Sequence, residues 1–188
     1  DGEILCKGPN VMKGYFKNSK LTSKTIKDGF LHTGDIGEID IDGFLKITDR
    51  KKQLFKTSGG KYIAPQLIEN KMKRSPFIEQ IMVIGEGEKM PSALIQPDFE
   101  YIKNWLSKNK TNFLNDFKKI CELKEILVKI EEEIQKINIE FGDWEKIKKF
   151  ELTPEVWSIE NGLLTPTLKL KRKSILKKFI HLKEKIYN

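Results

Sequence analysis

The stretch Pro65-Gln66-Leu67-Ile68-Glu69-Asn70-Lys71-Met72-Lys73-Arg74-Ser75-Pro76-Phe77-Ile78-Glu79-Gln80-Ile81-Met82-Val83-Ile84 passes from one kind of element to another. Pro65 suits the first position of a helix, where an N–H would go unused anyway. Leu67, Ile68 and Met72 then carry that helix towards Arg74. Ser75-Pro76 stops it, because the residue before a proline is pushed out of the helical region. Phe77 to Ile84 reads as a strand. After a Gly85-Glu86-Gly87 turn, Ala93 to Gln96 reads as another.

Upstream, Leu54 to Lys56 and Lys61-Tyr62-Ile63 read as two strands around a tight Ser58-Gly59-Gly60 turn. Residues 1–48 read as short strands: Glu3-Ile4-Leu5-Cys6, then Ile36 to Ile41 and Phe44 to Ile47 joined as a hairpin across Asp42-Gly43. Three such strands cannot close a core, so this opening piece is expected to be the end of a preceding domain. Downstream, Asp98 is placed to cap a helix carrying Phe99, Ile102, Trp105 and Leu106. Phe117, Ile120, Leu123, Leu127, Ile130, Ile134, Ile137 and Phe141 recur at intervals of three and four, which predicts one long helix or a bent pair packed on a sheet. Thr165-Pro166-Thr167 leads into a basic helical segment with Ile175, Leu176, Phe179 and Leu182 facing inward. The fold class is α+β, a short β-sheet with flanking helices.

The 188 residues hold 35 Lys+Arg against 27 Asp+Glu, a formal charge of +8. No apolar run approaches the ~20 residues of a membrane-spanning helix, and the opening residues lack the layout of a secretory signal. Two cysteines, Cys6 and Cys121, form neither a disulfide framework nor a zinc-ligand spacing, in keeping with a reducing compartment. Residues 165–188 hold eight Lys/Arg against Glu184 alone. Such a run is usually a solvated helix face, and its other readings are an anionic ligand, an acidic membrane surface or nucleic acid. A basic nucleic-acid-binding module is therefore the alternative, although no RNA-binding signature accompanies the charge.

There is no phosphate loop of the G-x-x-x-x-G-K-[ST] type, no G-x-G-x-x-G and no nucleophile elbow. His32 and His181 lie too far apart to promise a metal site, so no metal ligands are expected in this chain. Three clusters remain. In His32-Thr33-Gly34-Asp35 a carboxylate after a glycine turn can accept from vicinal ribose hydroxyls. Arg50 offers a planar charged fork for phosphate or ribose. Lys169, after a proline-containing turn, can be aimed at an anionic transition state.

The order of these clusters resembles the adenylate-forming (ANL) superfamily. The resemblance rests on Phe30-Leu31-His32-Thr33-Gly34-Asp35, then Asp49-Arg50-Lys51-Lys52-Gln53, then Thr57-Ser58-Gly59-Gly60-Lys61-Tyr62-Ile63-Ala64-Pro65-Gln66. The ending Ser158-Ile159-Glu160-Asn161-Gly162-Leu163-Leu164-Thr165-Pro166-Thr167-Leu168-Lys169-Leu170-Lys171-Arg172, with the helical insertion before it, is similar to long-chain fatty acyl-CoA synthetases. The resemblance implies a ligase that joins a long-chain fatty acid to AMP using Mg2+-ATP, then transfers the acyl group to CoA. Residues 1–49 would be the tail of a large N-terminal domain, 50–52 the hinge, and 53–188 the mobile C-terminal domain. Asp35 and Arg50 would bind ATP and AMP, Lys52 would be the hinge residue, and Gly59 would line the CoA path. Lys169 would be the adenylation lysine, with Lys171 as its rival. Much of the superfamily has glycine where this chain has Leu168. The acyl tunnel, the phosphate loop and the magnesium ligands would lie in a missing N-terminal portion, leaving this fragment inactive alone. No nucleic acid and no transmembrane segment are expected. The parent would work on the cytosolic side of the cell, in association with an intracellular membrane.

Overall fold

The computed structural model describes residues 2–108 and 116–188. They divide into two compact units, residues 1–54 and 55–188.

The first unit is one antiparallel sheet. Its long central strand β3 (Phe30–Ile39) pairs with β1 (Glu3–Cys6), β2 (Ile26–Lys27) and β4 (Leu45–Arg50). A short helix α1 (Ser19–Thr25) precedes β2, its first turn capped by the Asn18 side chain accepting from the Leu21 N–H at 3.0 Å. The predicted hairpin across Asp42-Gly43 is present. Asp40 Oδ1 accepts from the N–H groups of Asp42 and Phe44, and Gly43 takes a φ of 86°, which favours glycine. Among the described residues of this unit, Asp49 alone is buried, while Phe16, Ile39, Ile41, Phe44 and Ile47 stand exposed.

The second unit is built in three layers around a sheet of β7 (Ile78–Ile84), β8 (Ser92–Pro97) and β9 (Phe150–Leu152). β7 and β8 run antiparallel, and β9 joins parallel to β8. Because side chains alternate along a strand, Ile81, Val83, Ala93 and Ile95 fall in one apolar cluster and Met82, Ile84 and Leu94 in another. The first cluster takes in α2 (Pro65–Met72), α3 (Phe99–Lys108), α4 (Phe117–Glu122) and α5 (Lys124–Asn138). The second takes in Trp157, Leu163, Leu164 and the C-terminal helices α6 (Arg172–Lys178) and α7 (Ile180–Tyr187). A small hairpin of β5 (Phe55–Lys56) and β6 (Tyr62–Ile63) leads into α2. Among the described residues, no helix is long and apolar enough to cross a membrane.

The stripe over 117–141 is a bent pair. Leu123 takes an extended ψ of 120° between α4 and α5, so the inward positions shift along the chain. Ile126 is fully buried and Leu127 is 36% exposed, the reverse of an unbroken spacing. Asp98 caps α3 as expected, accepting from the Tyr101 N–H at 2.8 Å.

Candidate active-site residues

In the first unit, Asp35 and Arg50 face each other across the β3–β4 ladder. Arg50 Nε lies 2.7 Å from Asp35 Oδ1, and the guanidinium side chain stays 56% exposed. The pair is therefore a carboxylate and a planar cation presented together, as recognition of hydroxyls beside phosphate requires. The glycine turn expected at His32-Thr33-Gly34-Asp35 is instead an irregularity inside β3, where the β1–β3 register shifts: Gly34 takes the left-handed φ of 74°, and the Asp35 N–H donates to Thr33 Oγ1 at 3.1 Å.

Glu3 braces this irregularity from β1. Its carboxylate receives the Lys51 ammonium at 2.9 Å, His32 Nδ1 at 3.0 Å and the Gly34 N–H at 3.2 Å. The Lys51 bond, followed by the His32 bond, holds the Glu3 carboxyl down at about 2 against the opposing cost of burial. Lys52 sits in the exposed turn that follows, where the Gln53 N–H donates to the Arg50 carbonyl at 2.8 Å.

In the second unit, Gly59 lies at the tip of the β5–β6 hairpin. The Gly60 N–H donates to the Thr57 carbonyl, and the Ser58 N–H to the Glu88 carbonyl. Gly60, at φ 77°, is the residue whose conformation favours glycine. A Cβ on Gly59 would meet only Thr57 Oγ1, at 4.0 Å.

Lys169 stands on a second hairpin, closed by the Leu164–Leu170 bridge. The Leu168 N–H donates to the Thr165 carbonyl at 2.8 Å, and the Thr165 N–H to the Lys169 carbonyl at 2.8 Å. Thr165 Oγ1 accepts from the Lys169 N–H at 3.0 Å and meets Thr167 Oγ1 at 3.1 Å. The backbone of Lys169 is thus fixed while its side chain is exposed. Lys171 sits at the root instead, its N–H bound to the Leu163 carbonyl, capping α6.

Arg172 anchors that root. Its Nη2 lies 2.6 Å from both carboxylate oxygens of Glu69 on α2, and its Nη1 donates to the Val83 carbonyl at 3.2 Å. Glu69 Oε1 also accepts the Val83 N–H at 2.7 Å. One buried carboxylate and one guanidinium thereby join α2, β7 and the Lys169 hairpin.

A family model for the AMP-binding enzyme C-terminal domain matches residues 52–188. The chain belongs to that family. Long-chain-fatty-acid–CoA ligase 1 of Cavia porcellus is 40% identical over 192 residues, taking in 100% of this chain and 27% of the relative. Fatty acyl-CoA synthetase B of Dictyostelium discoideum is 38% identical over 190 residues, with 100% and 28% covered. The chain therefore spans less than a third of the length of these curated relatives. Among solved structures, the adenylation domain of a carboxylate reductase from Mycobacterium chelonae shares the fold, with a TM-score of 0.76 at 23% identity over 97% of this chain and 27% of that one. The A-PCP didomain of carboxylic acid reductase from Segniliparus rugosus, in complex with AMP, has a TM-score of 0.76 at 25% identity, with 97% and 24% covered.

The AMP-binding C-terminal domain neutralises much of its basic tail internally. Lys178 pairs with Glu155, Lys183 with Glu88 at 3.0 Å and Lys185 with Glu151 at 2.9 Å. Together with Arg172–Glu69, these contacts pair four of the eight basic residues of the run, and nothing in the family or its relatives supports the nucleic-acid alternative. Cys121 is a packing residue in this domain, since burial pushes its thiol up to about 12. Sequence reasoning did not single out Glu3, Glu69 or Arg172 as site-forming residues. Glu3 lies 48 residues from Lys51 and Glu69 lies 103 from Arg172, separations that leave no local pattern.

Proposed function

We propose that this chain is the C-terminal portion of a long-chain fatty acid–CoA ligase, with residues 1–49 the tail of the large domain, 50–52 the hinge and 53–188 the mobile domain. The observation that carries the reading is Lys169, an exposed ammonium on a backbone-fixed hairpin tip. In the first half-reaction a fatty acid carboxylate oxygen attacks the α-phosphorus of ATP, and the bond to the β-phosphate oxygen breaks to release pyrophosphate. Lys169 bridges the attacking carboxylate and the α-phosphate oxygens, where negative charge gathers. Asp35 holds the ribose hydroxyls, and Arg50, oriented by Asp35, contacts ribose and phosphate. Magnesium would shield phosphate charge, with its ligands in the remainder of the parent protein.

In the second half-reaction the CoA thiolate attacks the acyl carbonyl carbon and AMP departs. Rotation about Lys52 withdraws Lys169 and brings the Gly59 tip to the CoA path, where the absence of a side chain leaves room for the pantetheine arm. Neither half-reaction is expected of this chain alone. The long-chain acids, ATP, CoA and the large domain are the partners in this reading, and the parent works inside the cell.

The test uses the full-length parent with Lys169→Ala and Gly59→Leu assayed in separate half-reactions. Lys169→Ala should lose acyl-adenylate formation by roughly two to three orders of magnitude, the scale of a lost charge stabiliser, and keep thioester formation from supplied acyl-adenylate. Gly59→Leu should show the opposite pattern, because its side chain would fill the room left for the pantetheine arm, while a Cβ there meets only Thr57 Oγ1 at 4.0 Å within its own unit. Lys169→Ala with both half-reactions intact would overturn the reading.

A further inference from the structure

Leu168 adopts a φ of 57°, in the left-handed region where a Cβ crowds the following carbonyl. The chain otherwise meets this need with small or polar residues. Ten of its glycines take positive φ, and besides Leu168 only Lys17 and Asp28 do so with a side chain among the described residues. A bulky apolar residue is the least suited to the conformation. The hairpin itself explains why a left-handed residue is needed. A turn closed by the Leu168 N–H on the Thr165 carbonyl is followed by the Thr165 N–H on the Lys169 carbonyl, which requires one left-handed residue between them. Glycine would supply it without strain.

Nor does packing explain the leucine, because its side chain is 65% exposed at the tip. It borders an open groove that Leu164, Trp157 and Ile159 also line, yet most of its surface stays in solvent. Strain held at an exposed apolar residue next to a functional lysine points to a role outside this unit's own stability.

We propose that Leu168 is the water-excluding residue of the Lys169 hairpin. The inference rests on the adenylation role of Lys169. When the tip enters the adenylation site, the leucyl side chain arrives with the ammonium and displaces solvent from the reacting carboxylate and α-phosphate. Lower local polarity strengthens the ammonium's hold on the developing charge, and exclusion of water protects the mixed anhydride from hydrolysis to fatty acid and AMP.

The experiment uses the full-length parent with Leu168→Gly, Leu168→Ala and Leu168→Met, and Lys169→Ala alongside. Leu168→Gly is the change least able to harm the fold, and its unfolding midpoint should not fall below that of the natural protein. Acyl-adenylate formation should drop about tenfold in both the Gly and the Ala variants, and a larger fraction of the adenylate that does form should be hydrolysed to fatty acid and AMP in the absence of CoA. Leu168→Met keeps apolar bulk and should stay within about twofold. An Ala variant with natural activity would show the side chain to be idle and overturn the inference. So would equal losses in Gly, Ala and Met, which would implicate the position and not its apolar bulk. If Lys169→Ala loses adenylation while the Leu168 variants keep it, the ligase reading stands and this inference falls. If Lys169→Ala keeps adenylation, both fall together.

Discussion

Arg172 and Glu69 show how a single contact decides the geometry of a hairpin it does not belong to. The Glu69 side chain is 7% exposed and shared between Arg172 and the Val83 N–H, so no water can replace a lost partner fully. Removing one member of a buried pair leaves an uncompensated charge, and for Arg172→Ala we expect a loss of about 3–5 kcal/mol in the unfolding free energy of this chain. Replacing both residues with methionine should recover only part of that loss, since an apolar pair avoids burying the two charges but leaves the Val83 N–H and carbonyl without the partners they have here. Denaturant midpoints of the two variants settle the matter, and an Arg172→Ala shift within about 1 kcal/mol would show that the pair contributes no more than a surface contact. Asp35, Arg50 and Lys169 were legible as candidates because each sits in a distinctive local string. Their bracing partners Glu3, Glu69 and Arg172 were not, since a long-range ion pair has no local signature.

At the scale of elements, periodicity carried most of the fold. The α2 helix, strands β7 and β8, the Asp42-Gly43 hairpin and the Asp98 cap all follow from local signals. The break at Leu123 did not, because its apolar side chain continues the spacing on both sides while its backbone departs from it. Strand β9 was missed because three residues give too short an alternation, and its strand character comes from pairing with β8. The β1–β3 pairing raises a separate expectation. Glu3 on β1 has its carboxyl lowered from 4.5 to about 2 by Lys51 first and His32 second. A depressed carboxyl stabilises the folded form above its ordinary value, and that stabilisation fades as pH falls from about 4.5 towards 2. In the full-length protein the Gly34 amide, which donates to Glu3, should report a titration centred near 2 and lose it in Glu3→Gln. A midpoint near the ordinary 4.5 would mean that the Lys51 and His32 contacts do not persist in solution.

Across the whole molecule, burial is distributed unequally. Both apolar clusters are drawn from residues between Phe55 and Tyr187, and among the described residues every buried hydrophobic side chain lies in the second unit. The first unit has a well-bonded sheet and an exposed apolar face, with Asp49 its single buried residue among those described. Backbone hydrogen bonds add little net stability without apolar burial to offset the entropy of ordering. Residues 55–188 expressed alone should therefore unfold in one cooperative thermal transition, followed by the fluorescence of Trp105, Trp144 and Trp157 together, of which Trp157 is buried. Residues 1–54 alone should show no such transition, whatever residual strand they retain. The helix α7 takes part in the same cooperative unit, because the Tyr187 hydroxyl shares its one hydrogen between the carbonyls of Met90 at 3.0 Å and Ile84 at 3.2 Å, and its burial raises the phenol to about 12. Tyr187→Phe in residues 55–188 should lower stability by about 1 kcal/mol without splitting the transition. Two resolved transitions in residues 55–188 would mean that the faces of the central sheet melt separately, and a cooperative transition in residues 1–54 would mean that sheet pairing alone suffices there.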